Sequence, residues 1–160
     1  MRRAFVKDES VAEAAEAVLP DRPVSPHPNL VTETGLNALQ NQLQQSRDGY
    51  AAACKGDDAD ERFRLAAAPL RDGRYYSERL RTAQLVKKSG STELVGFGNS
   101  VSFKYDDGRV CSYRIVGEDE ADLAVGLISY VSPVARNLTG KSVGDHFAVG
   151  EHELEILTIA

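Results

Sequence analysis

Hydrophobic and polar residues change their period along this chain. From Thr32 the spacing is helical, with Leu36, Leu39, Leu43 and Tyr50 on one stripe and Asn, Gln and Arg on the others. Thr32 or Thr34 can cap the start, because a hydroxyl accepts from a helical N–H that has no partner inside the helix. The stripe fades through Ala51 to Cys54, and Gly56, Asp57 and Asp58 supply a stop and a new start. A second helical stretch runs to about Val86, with Leu70, Gly73, Tyr76, Leu80 and Ala83 at steps of three and four. Two amphipathic helices with a tight connection predict an antiparallel coiled-coil hairpin over residues 30–86, in which Leu36 faces Ala83, Leu39 faces Leu80 and Leu43 faces Tyr76. Pro69 conflicts with this pattern, since a proline inside a helix removes a hydrogen bond and costs about 3 kcal/mol. A kink or break is expected there: either the second helix bends at Ala66 to Pro69, or residues 57–68 form a separate tip helix.

After a polar linker from Lys87 to Glu93, the period changes to two. Phe97 to Tyr105 alternates apolar and polar residues, Asp107-Gly108 supplies a hairpin turn, and Val110 to Val116 returns as a second strand. Gly126 to Val131 reads as a third strand, and Phe147 to Val149 with Leu154 to Ile159 as the closing ones. Between them Ser132 is a good N-cap, Pro133 suits the first helical position, and Gly140 can take the left-handed turn beyond the end, so a helix of about two turns is expected. Residues 92–160 therefore predict a small α+β domain, a curved antiparallel sheet on one short helix. Residues 1–29 pass through a weakly helical Ala/Glu stretch into Pro20, Pro23, Pro26 and Pro28, which read as an extended connector.

Composition narrows the class. With 42% hydrophobic and 27% charged residues the chain reads as a soluble globular protein. No apolar run is long enough to span a bilayer, and Glu13 and Glu16 interrupt the N-terminal apolar stretch, so neither a membrane anchor nor a signal-peptide core is expected, and the compartment is expected to be the cytoplasm. Cys54 and Cys111 fall in different elements, as expected of ordinary thiols, and His27, His146 and His152 are scattered. Residues 1–90 carry a net charge of +1 and residues 91–160 a net charge of −6. An acidic half argues against general duplex binding, whose affinity comes from Lys and Arg releasing counterions, so contact with nucleic acid should be indirect, through a protein.

Two acidic clusters are the candidate chemistry. Asp57, Asp58, Asp60 and Glu61 sit at the hairpin turn, ahead of Arg62, Arg64, Arg71, Arg74, Arg79 and Arg81 on the return arm. Acids at a helix N-terminus also have a purely structural reading, because they complement the helix dipole. Glu118, Asp119, Glu120 and Asp122 crowd the loop before the third strand, either as a hard-cation site or as a solvated loop. Gly140-Lys141-Ser142 is not a Walker A motif, since it closes a helix rather than opening one. No nucleophile, base and orienting group fall into a plausible arrangement, so the chain is not expected to be an enzyme in its own right.

The run from Gly117 to Lys141 carries a resemblance. Gly117-Glu118-Asp119-Glu120-Ala121-Asp122, Gly126, Ile128-Ser129, Ser132-Pro133, Ala135-Arg136, Leu138, Gly140-Lys141 and Gly144-Asp145 stand in the order of the C-terminal domain of the bacterial GreA/GreB transcript-cleavage and elongation factors. The likeness extends from about Phe97 to the C-terminus and more loosely back to Leu30. It implies an FKBP-like topology for the domain, behind a shortened, Rnk-like coiled coil. It does not imply prolyl isomerase activity, which needs an aromatic-lined pocket; this domain has no tryptophan.

The resemblance further implies a monomer that docks on the β′ subunit of RNA polymerase through Ser132, Pro133 and the loop acids Glu118, Asp119, Glu120 and Asp122, and that places its hairpin in the secondary channel. In the family's cleavage factors, tip carboxylates help hold the polymerase's second catalytic magnesium, so no cofactor or metal of the chain's own is expected. Gly56, Asp57 and Asp60 keep the spacing of the family's tip acids, with Asp in place of Glu. The outgoing arm, Gly35 to Gly56, spans roughly 30 Å, about two turns or ~10 Å short of the full-length arms. The expectation is a factor that regulates elongation with little transcript cleavage. A true cleavage-stimulating factor and a non-transcriptional interaction module on the same fold are the alternatives.

Overall fold

The computed structural model describes residues 18–88 and 90–160. They divide into two compact units, one containing the chain up to Pro26 with Leu39–Arg81, the other His27–Ala38 with Thr82–Ala160. The Ala/Glu stretch expected to be weakly helical lies outside the described residues. Residues 18–29 form no regular secondary structure, as their prolines dictate.

The hairpin consists of α1 (Glu33–Ala53) and α2 (Ala59–Thr82). Thr32 caps α1: its hydroxyl accepts from the backbone N–H of Gly35 at 3.0 Å. Asp58 caps α2, accepting from the N–H groups of Asp60 at 2.9 Å and Glu61 at 3.4 Å. The helices meet through small residues. A Cβ placed on Gly73 would lie 3.8 Å from the Ser46 Cβ, and one on Gly49 would lie 3.3 Å from the Pro69 ring. Ser46 opposite Gly73 is the register that the two apolar stripes predict, since it lies one turn beyond Leu43 opposite Tyr76.

Two expectations for the hairpin are corrected. The helix α2 is continuous from Ala59 to Thr82 with Pro69 inside it, so there is no break and no separate tip helix. Gly49 has no side chain where the proline ring packs, and Leu65, whose carbonyl loses its partner at residue 69, is 57% exposed, where water can supply one. Tyr50 and Leu70 also depart from the predicted stripe, remaining 43% and 46% exposed, whereas Leu39 is buried. Past Ser46 the seam is formed by Gly49, Pro69 and Gly73, so the larger side chains stay at the edge of a shallow groove.

In the second unit, β3 (Ser100–Tyr105), β4 (Val110–Val116), β5 (Leu127–Ser129), β6 (His146–Val149) and β7 (His152–Ile159) form a five-stranded sheet in the order β5-β4-β3-β7-β6. The helix α3 (Pro133–Leu138) buries Ala135 and Leu138. The turn between β3 and β4 has Gly108 at φ +88°, the left-handed conformation its sequence predicts. Val101 and Phe103 point into the core from β3, while Leu154 and Ile156 do so from β7. A register shift beside Ser102 and Phe103 lets β3 bend against β7.

The sheet is mostly antiparallel, but β5 pairs parallel to β4, with Ile128 opposite Ile115. The expected curved, mainly antiparallel sheet with one short helix is thus present, and this single parallel pair is the detail its sequence did not show. The chain reaches β5 through a short 3-10 turn, Leu123–Val125, capped by Asp122, and comes back in the direction of β4. The ends assigned to the hairpin also differ from expectation: β1 (Leu30–Val31) and β2 (Gln84–Leu85) are two-residue strands paired in parallel. Gly117 makes room for β1, since a Cβ there would lie 2.3 Å from the Leu30 carbonyl oxygen.

Gly117→Ala should therefore destabilise this unit by about 1–3 kcal/mol, the usual cost of overpacking a filled site. Chemical denaturation followed by tyrosine fluorescence should show the loss, and an unchanged midpoint would contradict the close approach of β1.

Candidate functional site

The loop between β4 and β5 begins at Gly117, and its acids have separate duties. The Glu120 carboxylate accepts from the Thr32 hydroxyl at 2.5 Å. Thr32 thus caps α1 and holds Glu120 with one oxygen. Gly35 is again a matter of space, because a Cβ there would lie 2.6 Å from the Glu120 carboxylate. Asp122 accepts from the Ala124 N–H at 3.0 Å, and its backbone bridges to Leu127. Glu118 is half-buried and Asp119 exposed. Among the described residues no group of three or more His, Cys, Asp or Glu side chains could hold a metal ion.

Ser132 and Pro133 begin α3. The Ser132 hydroxyl accepts from the Ala135 N–H at 3.2 Å, and Pro133 is exposed in the first turn. Gly140 follows the helix at φ +82°. Ser132 also lines a cavity of about 470 Å³, which it shares with Ala121 and Leu123 from the acidic loop and Val134 from α3. The cavity thus brings together the two segments singled out in the sequence.

The remaining wall was missed. Phe103, Tyr105 and Tyr113 line the cavity, together with Leu127 and Val149. The Phe103 ring centre lies 5.8 Å from that of Tyr105 and 5.7 Å from that of Tyr113. Burial, the largest influence, raises the Tyr105 hydroxyl pKa above the ordinary phenol value. The premise that this domain lacks an aromatic-lined pocket is therefore corrected. The sequence signal for this wall is the alternation of β3, which puts Phe103 and Tyr105 on one face.

At the hairpin turn, Asp57 lies in the connection and Asp60 is the second residue of α2, both exposed. Asp58, between them, serves as the cap described above. Asp60 and Glu61 face the positive end of the helix dipole, which accounts for acids at this position without any ligand.

Residues 90–160 match the family described as Transcription elongation factor, GreA/GreB, C-term. Over 138 residues the chain is 34% identical to transcription elongation factor GreA of Helicobacter pylori, covering 82% of this chain and 78% of that protein. It is 31% identical to GreA of Ralstonia nicotianae over 150 residues, covering 81% of this chain and 95% of that protein. Among solved structures, Gfh1 of Thermus thermophilus aligns with a TM-score of 0.40 at 24% identity, over 84% of this chain and 99% of that one.

Thr32→Val should cost about 1–3 kcal/mol, through loss of the α1 cap and of the bond to Glu120. Combined with Glu120→Gln in a double-mutant cycle, it should reveal a coupling energy above about 0.5 kcal/mol; additive losses would show that the two side chains do not interact. On the 34% identity to GreA of Helicobacter pylori, with 78% of that protein covered, and the match of residues 90–160, the chain belongs to the GreA/GreB family of transcription elongation factors.

Proposed function

We propose that this protein binds bacterial RNA polymerase through its C-terminal unit, places its hairpin in the secondary channel, and regulates elongation with little stimulation of transcript cleavage. The carrying observation is the 34% identity, over 82% of this chain, to a protein named as a transcription elongation factor. The docking surface takes in the 470 Å³ cavity, which Ser132 lines together with Ala121 and Leu123 of the loop that carries Glu118, Asp119, Glu120 and Asp122. An aromatic-lined hollow with a polar edge accepts a projecting apolar side chain, the usual anchor of a protein interface. The chain acts as a monomer in the cytoplasm and brings no metal of its own.

The cleavage level follows from the tip. The 21-residue α1 spans roughly 31 Å, and at the tip Asp57 is retained while Asp60, the shorter carboxylate, stands in place of Glu. Magnesium demands near-ideal octahedral geometry at about 2.0–2.1 Å, so a carboxylate set back by one methylene on a short arm is poorly placed to hold it.

Pro133→Asp leaves the first turn of α3 compatible with an acid, and it should weaken polymerase binding while the unit stays folded; unchanged affinity would remove Pro133 from the docking surface. Backtracked elongation complexes incubated with the pure protein should release few short 3′ RNA fragments. Prompt release, abolished by Asp57→Asn or Asp60→Asn, would instead make the chain a cleavage-stimulating factor. Absence of the β′ subunit from material co-purified with the protein would favour the interaction module outside transcription.

A further inference from the structure

The connector is fastened to the hairpin. Within the first unit, the Arg22 guanidinium lies 3.9 Å from the centre of the Tyr75 ring and 5.2 Å from that of Tyr76. Its Nη1 is 3.5 Å from the Asp72 carboxylate, which Arg71 also reaches at 2.9 Å. Next to it, Asp21 accepts from the Arg74 Nε at 2.6 Å. Val18 and Leu19 share a small hollow with Phe63, Ala66, Ala67 and Leu70 of α2. The contacts reach from Phe63 to Tyr76 and so span Pro69 on both sides.

That span is where α2 is weakest. Pro69 cannot donate to the Leu65 carbonyl, and its ring crowds the preceding turn. A helix with such a gap depends on contacts from outside itself, because most helical stability in proteins comes from tertiary packing. The connector is suited to supplying them at low entropic cost. Pro20, Pro23 and Pro26 fix their own φ angles, so little backbone freedom remains to be lost when the segment is held.

We infer that residues 18–26 are a splint that keeps α2 helical across Pro69, with Arg22 as its principal fastening. Hydrogen bonding to Tyr76 is the largest influence on Arg22 and raises its pKa, in keeping with a guanidinium held against the two tyrosines. The splint acts within the hairpin unit, independently of what the hairpin enters. It gives the connector a role that its sequence alone did not disclose.

Amide hydrogen exchange on the full-length chain tests it. Arg22→Ala should speed exchange in residues 66–76 by roughly three- to tenfold, the range expected for a lost cation–π contact and its ion pair, and leave the amides of β3, β4 and β7 unchanged. Arg22→Lys, which keeps the charge but not the planar stacking, should fall between. In a Pro69→Ala background, where the helix recovers its hydrogen bond, the effect of Arg22→Ala should shrink to less than about twofold. Unchanged exchange in Arg22→Ala would overturn the splint, and so would an effect of equal size in the Pro69→Ala background, which would make the contact one of general adhesion.

Discussion

Where residue 117 would carry a side chain, the carbonyl of Leu30 passes instead, 2.3 Å from the Cβ position. Other features of the second unit depend on that close approach. With Leu30 and Val31 held beside the loop, β1 can pair with β2, and the Tyr130 hydroxyl donates to the Pro28 carbonyl. Thr32 is then within reach of Glu120, and the first turn of α1 forms with its cap already in place. The segment His27–Ala38 thereby counts with the C-terminal unit although it precedes the hairpin in sequence. A glycine and a glutamate three residues apart in an acidic loop thus have a structural purpose that is separate from any partner.

The hairpin works under the opposite constraint, a shortage of large apolar side chains. Its seam closes through Gly49, Pro69, Ser46 and Gly73, while Tyr50, Phe63, Leu65 and Leu70 are all more than 40% exposed. Small residues let the backbones approach, but they bury little area, and buried area is what stabilises a helical pair at about 25 cal/mol per Å². Caps at both starts and basic residues in the last turn of α2 each contribute on a scale of about 1 kcal/mol or less. On this background a proline in the middle of α2 is a substantial load, and contacts from outside the two helices become important to it.

Much of this was legible from periodicity alone. Both helices, their register, the β3–β4 hairpin and the short capped helix follow from local rules about stripes, turns and caps. The errors arose where a distant partner overrides such a rule. Pro69 should break a helix, and does not, because Gly49 on another helix gives it room. Gln84 and Leu85 fall within the second helical stretch of the sequence, yet they pair as a strand with Leu30 and Val31, since only the fold brings them side by side. The parallel pairing of β5 cannot be read from its own residues, because alternation fixes which face is buried and not which direction the strand runs. The acids at 118–122 illustrate the same limit for the site. Their clustering was evident, whereas the division of labour among a cap, a tether and exposed charge was not.

That division bears on how the C-terminal unit would recognise a partner. Accepting a hydrogen bond does not remove a carboxylate's charge, so Glu120 and Asp122 still belong to the −6 carried by residues 91–160 even though their oxygens are occupied. Such a field acts beyond contact range, to about the 8–10 Å Debye length at physiological salt, and it favours approach of a basic surface. At contact the terms change, because rim charges in water contribute little affinity while a filled apolar pocket contributes much. In a unit that docks as proposed, the acidic loop and the aromatic cavity would serve successive stages of one encounter, the first governing how fast a partner arrives and the second how long it stays. The loop contributes to both, since Ala121 and Leu123 line the cavity from between and beside the acids that carry the field.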